Sequence, residues 1–364
     1  MPFFHTKFTA SLGIDYPIVL GPMNNASSPE LAAAVSNAGG LGSFAAALLP
    51  PAAIAEAVGK IRSLTDKPFS VNLFILDEVI ADGSAISRSQ EWLQPYRDAL
   101  GIGPGTVPEK FCERFQDQLQ ALLDAAPPVV SFTFGILSAE AVARFHAAGS
   151  KIIGTATTVS EARAWEAAGA DFICVQGGEA GGHRGSFLGD IEQSTIGLMA
   201  LIPQVADAVS VPVIAAGGIM DGRGVAAALL LGAQAAQQGT AFLSCPECPI
   251  PPAWKAALRT ARDDSTRLTR SFSGRHARGI VNEFMEQMRP YENQLPPYPI
   301  QNALTGPIRQ AAAKANRPEY MSLWAGQGVG MSRQLPAQEL VSRLMQETRA
   351  ALASIEELEH KGLK

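Results

Sequence analysis

Lys151-Ile-Ile-Gly-Thr-Ala-Thr157, a helical stretch over Ser160–Ala168, and Gly169-Ala-Asp-Phe-Ile-Cys-Val-Gln-Gly177 follow one another in the chain. Short apolar runs rich in β-branched residues, bounded by glycine, read as buried parallel strands. The same order returns at Pro212-Val-Ile-Ala-Ala-Gly-Gly218, a helix over Arg223–Leu231, and Gly232-Ala-Gln-Ala-Ala-Gln-Gln-Gly239. Strand, helix, Gly-Ala and strand in repetition are what stacked βα units with right-handed crossovers look like in sequence.

Working outward, the same rhythm extends to both sides. Strands are expected at Pro17–Met23, Leu41–Ala47, Phe69–Ile75 and Val129–Phe134, with Asp171–Gln176 the sixth. Ser28 and Pro29 form a helix start, and Leu31–Ala38 the helix itself. Further helices are expected at Pro51–Leu64, Glu109–Ala125, Ala139–Ala148, Gly197–Val209 and Pro252–Arg262. Eight such units close into an α/β TIM (β/α)8 barrel. An open doubly wound sheet is the alternative, but the Gly-x-Gly-x-x-Gly turn it needs after the first strand is absent.

The barrel is assigned to residues 1–262, with an excursion at 77–108 that carries a short helix around Trp92–Leu100. Residues 263–330 lose the rhythm and are expected to form an irregular lid subdomain over the barrel mouth. The segment 331–364 holds an amphipathic helix, Met331–Leu358, that packs on the barrel or on a second subunit, so monomer and homodimer both stay open.

The bulk numbers restrict the partners. Of the 364 residues 47% are hydrophobic and 17% charged, enough to bury a large core. A net charge of -5 leaves no basic surplus for nucleic acid or an anionic membrane. Met1–Gly13 lacks a basic region followed by an apolar run, and no stretch reaches membrane-spanning length, so a cytoplasmic protein with a small-molecule partner is expected. The four cysteines, Cys112, Cys174, Cys245 and Cys248, include one Cys-x-x-Cys pair. Without a second pair no zinc site forms, and free thiols are expected.

The chemistry gathers after the sixth strand. Gly177, Gly178, Gly181, Gly182, Gly185 and Gly189 surround His183 and Arg184, so backbone can approach a ligand closely around a titratable imidazole. TIM barrels bind phosphate at the loops after strands seven and eight, here Gly217-Gly218 and Gly239-Thr240. Asn72, Gln176 and the amide edges near Met23 surround the axis, and side chains that donate and accept fit the edge of a uracil-like or flavin pyrimidine ring. Glu179 and His183 have no third metal ligand at sensible spacing, so no metal is expected.

Gly21-Pro22-Met23, Asn72, Gln176-Gly-Gly-Glu-Ala-Gly-Gly-His183-Arg184-Gly185, Ala216-Gly217-Gly218-Ile219 and Gln238-Gly239-Thr240 together resemble the nitronate monooxygenases, once called 2-nitropropane dioxygenases. Tyr298-Pro-Ile-Gln-Asn-Ala-Leu-Thr305 and Leu323-Trp-Ala-Gly-Gln-Gly328 look like later motifs of the class I members. The resemblance implies an FMN enzyme of nitro-compound detoxification. It would oxidise alkyl nitronates or nitroalkanes with O2, propionate 3-nitronate among them, to nitrite and a carbonyl product. It makes His183 catalytic, and Met23, Asn72, Gln176, Gly181, Gly182, Gly217, Gly218, Gln237, Gln238, Gly239 and Thr240 contacts of FMN. Thr133 departs from the family, which has histidine there. Two other readings use the same barrel: an FMN-dependent NAD(P)H reductase of enoyl thioesters or quinones, and a flavin-free phosphosugar isomerase or lyase.

Overall fold

The computed structural model describes residues 4–361; residues 1–3 and 362–364, the outermost ends of the first and last expected segments, lie outside the described residues. Its strands are β1 (Ile18–Leu20), β2 (Gly42–Ala45), β3 (Phe69–Phe74), β4 (Val129–Thr133), β5 (Lys151–Ala156), β6 (Phe172–Gln176), β7 (Gly182–His183), β8 (Val213–Ala216), β9 (Ala235–Gln238), β10 (Thr266–Thr269) and β11 (Ala277–Ile280). Eight of them form one parallel sheet in the order β1-β9-β8-β6-β5-β4-β3-β2. A parallel bridge between Val19 and Leu41 joins its two edges. The sheet is a TIM barrel, as the repeated βα units require.

Period-two alternation decides what each strand shows the axis. Val19, Leu41, Val129, Ile153, Phe172, Cys174, Ile214 and Ala235 point inward and pack as one cluster. Their neighbours, such as Val130, Ile152 and Ile173, point outward under the helices. An element at the start of the chain has no counterpart in the sequence expectations. Lys7–Leu12 is a short helix capped by Thr6, and its Phe8 meets Phe172 edge-on at 4.9 Å, plugging the N-terminal end of the barrel. The other end stays available for a ligand.

Helices cover the outside at close range. An added Cβ at Gly42 would lie 1.8 Å from the Ala32 carbonyl oxygen, a backbone atom of the helix Pro29–Asn37. Gly42→Ala is therefore expected to push that helix off β2, at a cost of about 1–3 kcal/mol. Calorimetry checks this, and an unchanged unfolding midpoint would contradict it.

Four expectations need correction. The helix in the excursion runs Gly83–Ala99, not Trp92–Leu100: Asp82 caps it by accepting from Ser84 N at 2.9 Å, and its buried face includes Ser89 and Arg97. Those polar residues hid the face, because each is matched by a partner distant in sequence; Ser89 donates to Gln301 Oε1 (2.7 Å) and Arg97 to the Leu304 carbonyl (3.1 Å). The helix expected from Glu109 begins at Phe115; ahead of it Lys110 and Glu113 close a local ion pair. The stretch after residue 263 is not irregular. β10 and β11 form an antiparallel pair, β7 joins β11, and a helix spans Ile300–Lys314. Arg and Thr in the strands, and Pro307 inside the helix, masked these elements.

The last helix runs Ala337–Lys361, starting after Pro336 rather than at Met331, with Glu247 accepting from the Ala337 N–H at 3.0 Å. Leu340, Val341, Leu344, Met345 and Thr348 are buried on one face. Gly222 admits this helix closely, since a Cβ there would sit 2.2 Å from Thr348 N. Cys245 and Cys248 are buried free thiols. Among the described residues no helix is long and apolar enough to cross a membrane.

Candidate active site

The residues that the resemblance assigns to catalysis and FMN contact line one cavity at the C-terminal mouth of the barrel: Met23, Asn72, Gln176, Gly181, Gly182, His183, Gly217, Gly218, Gln237, Gln238, Gly239 and Thr240. The alternation that fills the lower barrel supplies Asn72, Ser131, Thr133, Thr155, Gln176 and Gln237 higher up. Asn72 is 2% exposed; its amide nitrogen donates to the Ser131 carbonyl and hydroxyl, both at 3.1 Å, which aims Oδ1 elsewhere.

The glycine loop after β6 is held from several sides. Gln176 Nε2 donates to the His183 carbonyl (2.9 Å) while its Oε1 accepts from Gly185 N (2.8 Å), so one side chain spans the loop. Arg184, only 1% exposed, donates to the carbonyls of Gly177 (2.6 Å), Gln176 (2.9 Å) and Ser194 (2.6 Å). Arg278 donates to the Gly178 carbonyl at 3.0 and 3.1 Å, and Arg275 to those of Arg184 and Ser186. Glycine permits this packing: a Cβ on Gly181 would stand 2.5 Å from backbone atoms of Ala325 and Gly326. His183 itself lies in β7, opposite Ala277 of β11.

Its imidazole is walled by rings. Tyr298 and Trp324 stand 5.6 Å away, Phe134 5.7 Å and Phe74 6.2 Å. Nε2 lies 2.8 Å from Ser273 Oγ. Burial, followed by the charges of Arg275 and Arg309, brings the imidazole pKa down to about 3, so the ring is neutral at any ordinary pH. Arg275 stacks on Phe134 at 3.9 Å. Arg309 lines the cavity, burial lowers its pKa to about 10, and no carboxylate stands beside it among the described residues.

The phosphate-sized turns are open. Gly217 and Gly218 take positive φ angles of 130° and 67°, and among the described residues no backbone carbonyl takes the N–H of Gly217, Gly218, Gly239 or Thr240. Thr240 Oγ1 accepts from Gly326 N at 2.9 Å, so its own proton is free to donate. Beside them, both amide atoms of Gln238 and the indole N–H of Trp254 are buried without a protein partner. Orphaned buried donors and acceptors of this kind call for a polar ligand.

The family profile of nitronate monooxygenase matches residues 5–347. The chain is 41% identical over 354 residues to a probable nitronate monooxygenase of Staphylococcus haemolyticus, covering 97% of this chain and 99% of that one. A probable nitronate monooxygenase of Staphylococcus aureus is 42% identical over 340 residues, 93% of this chain and 96% of its own. The chain belongs to the nitronate monooxygenase family. Like its relatives it is an oxidoreductase.

Solved structures agree with that membership. A nitroalkane oxidase from Streptomyces ansochromogenes superposes with a TM-score of 0.89 at 42% identity, over 96% of this chain and 99% of that one. FabK from Thermotoga maritima follows the same path at a TM-score of 0.76 and 28% identity, over 97% and 99% of the two chains. Sequence reasoning alone missed Arg309 and Trp254, which line this cavity, and Ser273, which meets the His183 ring. Arg309 stands one turn beyond the Tyr298–Thr305 motif, and Ser273 two residues before Arg275, so proximity to those stretches was the available signal.

Proposed function

We propose that the protein oxidises alkyl nitronates and nitroalkanes with O2, using FMN, to nitrite and a carbonyl product, with propionate 3-nitronate among its substrates. Cytoplasmic disposal of toxic nitro compounds is the role that fits this activity. The observation that carries the reading is that His183 and Arg309 line one cavity, the arginine with no carboxylate beside it among the described residues. A cavity with uncompensated positive charge suits an anion, and a nitronate is one. The Nε of Arg309 and one of its terminal nitrogens are spent on Thr305 and Asn302, which leaves the other terminal nitrogen for that anion.

The residues present fit FMN. The free amides of Gly217, Gly218, Gly239 and Thr240, with the Thr240 hydroxyl, would hold its phosphate. Gln238 and Trp254 would add polar contacts at that end, while Asn72 and Gln237 would meet the pyrimidine edge. Gly181 and Gly182 would let the backbone come close, and Met23 would pack beside Gly239, where an added Cβ would be 3.3 Å from its sulfur. When bound, FMN supplies the electron acceptor that links the nitronate to O2. The chain does the rest: Arg309 orients the anion, the aromatic wall excludes water, and with a neutral nitroalkane His183 takes the α-proton.

The test is an anaerobic titration of the purified yellow protein with propionate 3-nitronate. Bleaching of the visible flavin bands, then nitrite once air is admitted, is expected. Bleaching by NADH and not by nitronate would replace this reading with a reductase. A protein that never carries flavin would overturn both and favour phosphosugar chemistry.

A further inference from the structure

We propose that Ser273 is a positioning residue that fixes the tautomer of His183, keeping Nε2 protonated so that Nδ1 is the atom that takes the substrate proton. The inference rests on the nitroalkane oxidation proposed above and adds which atom acts and what holds it ready.

The argument is a count of protons. His183 Nε2 lies 2.8 Å from Ser273 Oγ, and that oxygen lies 3.0 Å from the carbonyl oxygen of Arg275. The Arg275 N–H also approaches Oγ, at 3.4 Å. A serine hydroxyl carries one proton. Given to His183, it would leave Oγ and the Arg275 carbonyl facing each other as two bare acceptors. Given to the carbonyl, it lets Oγ accept from both His183 Nε2–H and Arg275 N–H, and every contact has a donor. Only the second arrangement is satisfied throughout, and a buried group left unsatisfied costs about 1–3 kcal/mol.

The surroundings keep this arrangement in place. Ser273 is 1% exposed, so water does not compete for its hydroxyl. The turn that presents it is anchored through the Arg275 side chain, which donates to the carbonyls of Arg184 and Ser186. The His183 backbone is tied to Gln176 and to Ala277 of β11. The charged and titratable groups that act on the ring are Arg275 and Arg309, with Tyr298 packed against it; none is a carboxylate, and among the described residues Ser273 alone hydrogen-bonds the ring.

In the step this serves, the α C–H bond of a neutral nitroalkane breaks and its proton goes to Nδ1. The electron pair stays on the substrate as the nitronate, whose charge then faces Arg309 and the new imidazolium. A preformed nitronate needs no such step. Nitroethane and ethyl nitronate therefore separate a tautomer effect from a general loss of function.

The experiment compares the two substrates on the holoenzyme and on its Ser273→Ala and Ser273→Thr variants. Proton-nitrogen correlation spectra of ¹⁵N-histidine-labelled protein are recorded in parallel. In Ser273→Ala the nitroethane rate is expected to fall about tenfold to a hundredfold more than the ethyl nitronate rate, a partial loss of the roughly 10²–10⁴-fold that a general base contributes. Ser273→Thr, which keeps the hydroxyl, should restore the ratio. In the wild-type spectrum His183 should carry its proton on Nε2, a result that stands even if Ser273→Ala does not fold. An unchanged rate ratio in Ser273→Ala, or a wild-type ring protonated on Nδ1, would overturn the inference. A wild-type protein that oxidises neither substrate would overturn the function proposed above, and the spectrum would still decide the tautomer.

Discussion

His183→Asn is expected to lower nitroethane turnover by about 10²–10⁴-fold, the range that a positioned base supplies, with bound flavin retained. Asparagine is close in size and keeps a donor that can reach Ser273, but it has no basic nitrogen. The aromatic wall of Phe74, Phe134, Tyr298 and Trp324 stays in place, so the loss belongs to the proton transfer and not to the shape of the cavity. Steady-state rates set against the flavin-to-protein absorbance ratio make the measurement. Full turnover in a flavin-loaded variant would remove His183 from the chemistry.

The pH dependence follows from the same ring. The base is the neutral imidazole, and its pKa is brought down to about 3, so the neutral fraction is already complete at pH 5. The nitroethane rate should therefore show no His183 limb near the ordinary histidine value of about 6.5, and should fall only toward the acid extreme.

The second large effect is expected at Arg309. Arg309→Met keeps much of the side-chain volume, removes the guanidinium, and should weaken nitronate binding by about tenfold to a hundredfold, since a hydrogen bond to a charged group contributes about 1.5–3 kcal/mol. The loss should appear in KM for ethyl nitronate more than in retention of flavin. One further sign is fixed by electrostatics. Arg309 is among the charges that depress the His183 pKa, so removing it lets that pKa rise, and an acid limb should move upward into the measurable range. A variant with wild-type KM and an unmoved profile would show that Arg309 faces neither substrate nor base.

Much of the barrel was legible because parallel strands buried on both faces carry short continuous apolar runs, and β3, β5 and β6 lie where those runs fall. The glycine turns at the barrel mouth were legible too, since Gly217-Gly218 and Gly239-Thr240 follow β8 and β9 directly. What stayed hidden depends on distant pairing. β7 is Gly182–His183, too short to leave any periodic mark, and it exists as a strand only because β11 lies beside it. Ser273 looks like any polar turn residue until its oxygen is placed 2.8 Å from His183. The role of the arginines that hold the glycine loop was hidden for a related reason. Arg184, Arg275 and Arg278 spend their donors on backbone carbonyls, which every residue possesses, so no acidic partner in the sequence signals them.

The dependence of β7 on β11 also sets an order of assembly during synthesis. The chain leaves the ribosome N-terminus first, so β9 is made well before Ser273, Ala277 and Trp324, which seat the His183 ring. The open amides of Gly217, Gly218, Gly239 and Thr240 lie in the part of the chain made first, whereas the strand partner and the hydroxyl that hold His183 lie beyond residue 262. The wall around His183 is thus closed only once the chain beyond residue 262 is in place.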